Sequence, residues 1–141
     1  MGLAAKRSTY AGVPVLHLSQ ELDAATTSEL VAVLTAIEAE TDSLIVDLGS
    51  VTYVSSAPLG VLIEASLKMR AKHGVLVLAS PQPDIRRVFS IAGLDDLIIV
   101  FQSLEEAADY VVLVEGRLRS EDLLGRQRSH AGEADEQTRT P

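Results

Sequence analysis

There is no cysteine in the 141 residues of this chain. That absence excludes a disulfide, a thiolate nucleophile and any Cys-ligated metal centre. Tryptophan is missing as well, and aromatic residues make up only 4%, so a core has to be built from Leu, Val, Ile and Ala. No apolar run reaches the roughly 18 residues needed to cross a bilayer. Lys6 and Arg7 are not followed by the apolar segment of a secretory signal. The expectation is therefore a cytoplasmic protein without membrane insertion. Cations are the minority, with 12 Lys and Arg against 20 Asp and Glu and a net charge of −8. Phosphate binding needs a basic patch, so direct binding of nucleic acid is not expected, and basic partner surfaces are favoured. Neither a G-x-S-x-G elbow nor a Gly-rich phosphate loop is present.

What is present is a 47% hydrophobic chain of one-domain length, patterned as alternating strands and helices. Residues 8–19 read as two short strands about a turn at Gly12, with His17 on a half-exposed sheet face and no paired acid near it in sequence. Thr26 or Thr27 can cap the next helix, with Glu29 completing a capping box and Leu30, Val33, Leu34 and Ile37 as its buried stripe. Leu44 to Leu48 is an apolar strand of the kind covered on both faces. After a polar turn, a helix is expected from Pro58 to about Lys72, closed by Gly74 at the position just past its end. Val75–Ala79 reads as a strand, Gln82–Ala92 as a helix ended by Gly93, and Ile98–Phe101 as a strand. Ser103 with Glu106 then forms a second capping box.

This order implies an α/β fold: a mixed sheet of four to five strands, with an N-terminal hairpin and about four helices packed against it. Residues 1–114 form the domain. Residues 115–141 have few large apolar residues and read as a charged tail, largely disordered by composition and dispensable for folding after about Gly125.

The stretch from Leu44 to Leu62 organises the rest. Proline is favoured at the first helical position and pushes the residue before it out of the α region. Ala57 is therefore expected at or beside the helix cap, where free N–H groups and a partial positive charge favour anions. Residues Val51 to Leu62 read V-T-Y-V-S-S-A-P-L-G-V-L. They resemble the signature of the STAS family, as found in anti-sigma factor antagonists, which reads roughly V-T-F-I-D-S-S-G-L-G-V-L. Gln20 to Thr27 resembles the family's G-E-L-D-A-A-T, with Gln20 in place of glycine, and the segment from Ser80 to Leu94 resembles P-x-V-R-R-V-L-x-x-x-G-L. The resemblance covers about residues 10 to 113 and implies a STAS-like fold. It departs from the pattern at the site itself: Ser55 stands for the family aspartate, Ser56 for the first serine, Ala57 for the phosphoacceptor serine and Pro58 for the glycine.

These residues do not suit an enzyme. A serine hydrolase needs nucleophile, base and acid in contact. His73 lies at the far end of the helix, about 15 residues or roughly 22 Å from Pro58 at 1.5 Å per residue, and cannot reach Ser55 or Ser56. No enzyme is expected, and no cofactor or metal. Arg86 and Arg87 could clamp an anion, but more often such a pair is a solvated face with one carboxylate partner. Asp23 has two readings of equal weight: turn chemistry, or a place beside the switch serine on the partner face.

The resemblance implies a regulatory binding module. Its expected partner is an anti-sigma factor of the serine-kinase type, whose capture releases a sigma factor. The expected contact residues are Asp23, Ser55, Ser56, Ala57, Pro58 and Val61. With Ala57 unable to accept phosphate, the switch is lost or moves to Ser56 or Ser55. The alternative is a non-switching accessory subunit of a transporter or a larger signalling assembly. A homodimer is compatible with either.

Overall fold

The computed structural model describes residues 2–116. A five-stranded sheet forms the frame, and its spatial order β1-β2-β3-β4-β5 is the order of the chain. Strand β1 (Ala4–Tyr10) and strand β2 (Val13–Leu22) make an antiparallel hairpin. Its two-residue turn, Ala11 and Gly12, has φ of 52° and 81°, the sign that a tight hairpin turn of this length requires. Strands β3 (Leu44–Val54), β4 (Leu76–Ala79) and β5 (Val100–Phe101) then add in parallel. Helix α1 (Thr27–Glu38) connects β2 to β3, α2 (Ser56–Ala71) connects β3 to β4, and α3 (Pro83–Ala92) connects β4 to β5. A last helix, α4, spans residues 104–116.

The first half of β3 and all of β4 are buried on both faces of the sheet, which explains their near-continuous apolar runs. One face is the main core. Leu16, Leu18, Val46, Leu48 and Leu78 meet Leu30, Leu34 and Ile37 of α1, Leu62 and Met69 of α2, and Phe89 of α3 there. The other face is thinner: Val13, Val15, Ile45, Val77 and Ala79 are covered by Ala107, Ala108 and Val111 of α4. The expected architecture is thus the observed one.

Several boundaries differ, each for a local reason. Strand β3 does not stop at Leu48. It runs on through Val54, pairing Ser50, Val51, Tyr53 and Val54 with Ser19, Gln20, Glu21 and Leu22, and two register shifts absorb extra residues in β3. The polar turn expected before α2 is therefore strand, and only Ser55 separates β3 from α2. At the other end of α2 the left-handed residue is His73, with φ of 67°. Its N–H donates to Arg70 and that of Gly74 to Met69, closing a Schellman motif one residue earlier than expected. Gly74 is required for another reason: a Cβ there would lie 1.6 Å from the Asp42 carbonyl oxygen. The capping box before α1 is formed by Asp23 and Thr26, not by Thr26 and Glu29. Glu29 instead accepts from the Leu3 N–H at 2.9 Å. Ser103 caps α4 through the Glu106 N–H at 3.1 Å. Because α4 continues through residue 116, the expected boundary at 114 falls inside it. The tail expected beyond lies outside the described residues.

Candidate partner-binding site

Two turns at the C-terminal ends of β2 and β3 are tied side by side. The Ser55 N–H donates to the Leu22 carbonyl at 2.9 Å, which sets the start of α2 beside the turn that opens at Asp23. The Asp23 carboxylate accepts from the Thr26 N–H at 3.2 Å, and its carbonyl accepts from the Thr27 hydroxyl at 2.8 Å. Turn chemistry therefore accounts for the carboxylate, and the same turn stands next to α2.

The helix start differs from the sequence expectation. Ser55 is the N-cap, with φ −96° and ψ 179°, so Ser56, Ala57 and Pro58 are the first three helical positions. Pro58 thus sits in the first turn, not at its opening position. The fit is physical: the first N–H groups of a helix have no intrahelical partner, so a proline anywhere in that turn sacrifices nothing. Its ring is buried with Leu59 against the core, whereas Ser56 and Ala57 are exposed. The Ser55 hydroxyl is turned inward, buried and without a hydrogen-bond partner among the described residues. It makes no cap bond.

Val61 is half-buried and lines a shallow groove between α1 and α2 together with Val31, Leu34 and Ala65; Glu38, Glu64 and Lys68 stand alongside. Glu64 and Lys68 form the ion pair expected from their spacing, at 3.4 Å. Tyr53, half exposed at 50%, is the penultimate residue of β3, just before the site. Of the arginine pair, Arg86 meets no carboxylate among the described residues; it donates to the Val100 carbonyl at 3.4 Å, and Arg87 is exposed.

With the geometry in place, comparison with known proteins decides the family. The STAS domain family model matches residues 5–107. The chain belongs to the STAS family. A relative named as an anti-sigma factor antagonist, BtrV of Bordetella bronchiseptica, is 33% identical over 98 residues, spanning 69% of this chain and 84% of that protein. Among solved structures, the unphosphorylated form of the anti-sigma factor antagonist SpoIIAA is 25% identical. It superposes with a TM-score of 0.64 over 77% of this chain and 96% of its own. A sulfate transporter family protein from Wolinella succinogenes shares the fold at 17% identity and a TM-score of 0.66, over 77% of this chain and 92% of its own. The STAS fold expected from the sequence is the fold observed.

Sequence reasoning missed a second cluster. His17 of β2 stands opposite Asp47 of β3 in the parallel register, and its Nδ1 lies 2.6 Å from the Asp47 carboxylate. Its Nε2 lies 2.7 Å from the Ser8 hydroxyl of β1. The paired acid that is absent near His17 in sequence is thus supplied by a strand 30 residues away. The readable signal was the alternation that puts His17 and Asp47 on one face of adjacent strands; the register that brings them together was not. Among the described residues no group of acidic or histidine side chains is arranged to hold a metal ion. No helix among them is long and apolar enough to cross a membrane.

Proposed function

We propose that this STAS domain is a regulatory protein-binding module that captures an anti-sigma factor of the ATP-dependent serine-kinase type and thereby releases a sigma factor. Its binding surface is the first turn of α2 with Ser56, Ala57, Pro58 and Val61, flanked by the Asp23 turn, and Ser55 supports that turn from beneath. The protein is cytoplasmic in this reading. The observation that carries it is the exposure of residue 57 in the first turn of α2. That is where the family places its phosphoacceptor, and here a methyl group stands there.

SpoIIAA is known in both unphosphorylated and phosphorylated forms. A phosphate in this turn adds about −1.5 to −2 charges to the binding face. With Ala57 in place of the acceptor, that charge cannot be added, and the module stays in the binding-competent form. Ser56 is the better substitute acceptor, because it is exposed while the Ser55 hydroxyl is buried. The 33% identical relative named as an anti-sigma factor antagonist supports this reading over the transporter accessory. The likeness to a transporter-family protein is one of fold.

The test is affinity capture from the source cells with and without ATP, followed by intact-mass measurement after incubation with the captured kinase. Capture of an anti-sigma factor that ignores ATP is expected, with no phosphate added. Rapid addition of one phosphate per chain would show that the switch survives at Ser56. Capture of a membrane transporter instead would replace this reading by the accessory one.

A further inference from the structure

Ser8, His17 and Asp47 stand on three neighbouring strands in one hydrogen-bonded line. The register makes the line rigid: Ser8 is opposite Val15 in the hairpin, two residues from His17 on the same face, and His17 is directly opposite Asp47. Asp47 is itself held, its second oxygen accepting from the Gly49 N–H at 3.0 Å. The carboxylate can only accept, so the neutral imidazole carries its proton on Nδ1. Nε2 is then the free base, and at 2.7 Å it accepts the Ser8 hydroxyl proton. Nucleophile, base and orienting acid are the three parts of a serine-based acyl-transfer site, recognised by geometry and roles and not by sequence position. Ser8 is exposed and its base is partly so, so a reagent can reach the hydroxyl.

We propose that Ser8 is an activated nucleophile that is acylated by small activated acyl compounds, with His17 as general base and Asp47 as positioning residue. The Ser8 oxygen attacks the acyl carbon while its proton passes to His17 Nε2. The bond from that carbon to the leaving oxygen breaks, and the leaving oxygen takes the proton from His17. Water repeats the sequence on the acyl-serine and regenerates the hydroxyl. Lys6, opposite His17 in the hairpin register, puts an ammonium group on the same face, where it favours negative charge on the attacked carbonyl oxygen. The open surface suits small activated esters with good leaving groups, and turnover is slow.

The experiment uses the full chain with p-nitrophenyl acetate and, separately, a fluorophosphonate probe, read by intact mass and peptide mapping. One adduct is expected, on Ser8, absent in Ser8→Ala. In His17→Ala the labelling rate is expected to fall about 100-fold or more, the scale of a positioned general base, and free imidazole restores part of it. Asp47→Asn is expected to slow labelling while leaving the melting temperature within a few degrees. Labelling no faster than in Ser8→Ala, adducts confined to lysines, or a His17→Ala rate equal to that of the unchanged chain would each overturn the proposal.

Discussion

Replacing Ser55 by alanine is expected to stabilise the domain, against the usual rule for its position. Ser55 is the N-cap of α2, and removing a serine cap ordinarily costs about 0.5–2 kcal/mol, because the hydroxyl satisfies a free N–H of the first turn. Here that bond is not made: the hydroxyl is buried and unpartnered among the described residues. Leaving a buried polar group without a partner costs about 1–3 kcal/mol. Truncation to a methyl removes that penalty and opens no cavity larger than one oxygen. The backbone bond that fixes this corner, from the Ser55 N–H to Leu22, does not involve the side chain and is retained. The net gain is therefore about 1 kcal/mol, which corresponds to about 3–4 °C in melting temperature for a domain of this size. Thermal and urea unfolding of the full chain, followed by circular dichroism, measures it. A loss of 1 kcal/mol or more would show that the hydroxyl caps the helix in solution, and the inward orientation would be refuted.

Ala57→Ser restores an acceptor hydroxyl at an exposed second helical position. With no cap to improve, its stability is expected to change by no more than about 0.5 kcal/mol in the same unfolding assay. Gln20 holds φ of 64° where the family has glycine. Gln20→Gly is expected to raise stability by up to about 1 kcal/mol, the left-handed strain relieved less the added freedom of the unfolded chain. Gly74→Ala is expected to cost about 2–6 kcal/mol. Parting residue 74 from the Asp42 backbone loosens the bonds from Val75 N–H to the Ser43 hydroxyl and from Leu44 N–H to the Val75 carbonyl, each worth about 1–3 kcal/mol when its partner stays buried. A midpoint in urea within experimental error of the unchanged chain would refute the last.

The architecture was legible because each element carries its own signal: alternation in β2, the apolar run of β3, the stripe of α1, Gly93 closing α3 at φ of 78°. What was not legible came from tertiary context. Gly49 and Ser50 look like a turn, but pairing with β2 carries them as strand, with the register shifts taking up the surplus. Pro58 marks the first turn of α2 without saying which position of that turn it fills, so the sequence points to Ala57 at or beside the cap, which Ser55 occupies. Gly74 looks like the left-handed end of α2, yet a backbone crossing at Asp42 is what demands it. The turn from Ser55 to Pro58, proposed above as the binding face, could be located from its motif. The Ser8–His17–Asp47 line could not, since it exists only once three strands are in register.

A sheet whose strands lie in chain order grows by one edge as the chain is made. Each strand finds its neighbour already in place, and no strand waits for a later one to be inserted between earlier pairs. The main face is closed progressively by α1, α2 and α3 as they follow their strands. The second face has no such cover until α4 is complete: Val13, Val15, Ile45, Val77 and Ala79 wait for Ala107, Ala108 and Val111. A nascent chain arrested after β5 presents this apolar sheet surface to its surroundings, the kind of transiently exposed surface through which partly folded chains associate. Closure of this second face therefore depends on α4, and chaperone dependence is expected to rise sharply for any chain cut before residue 104.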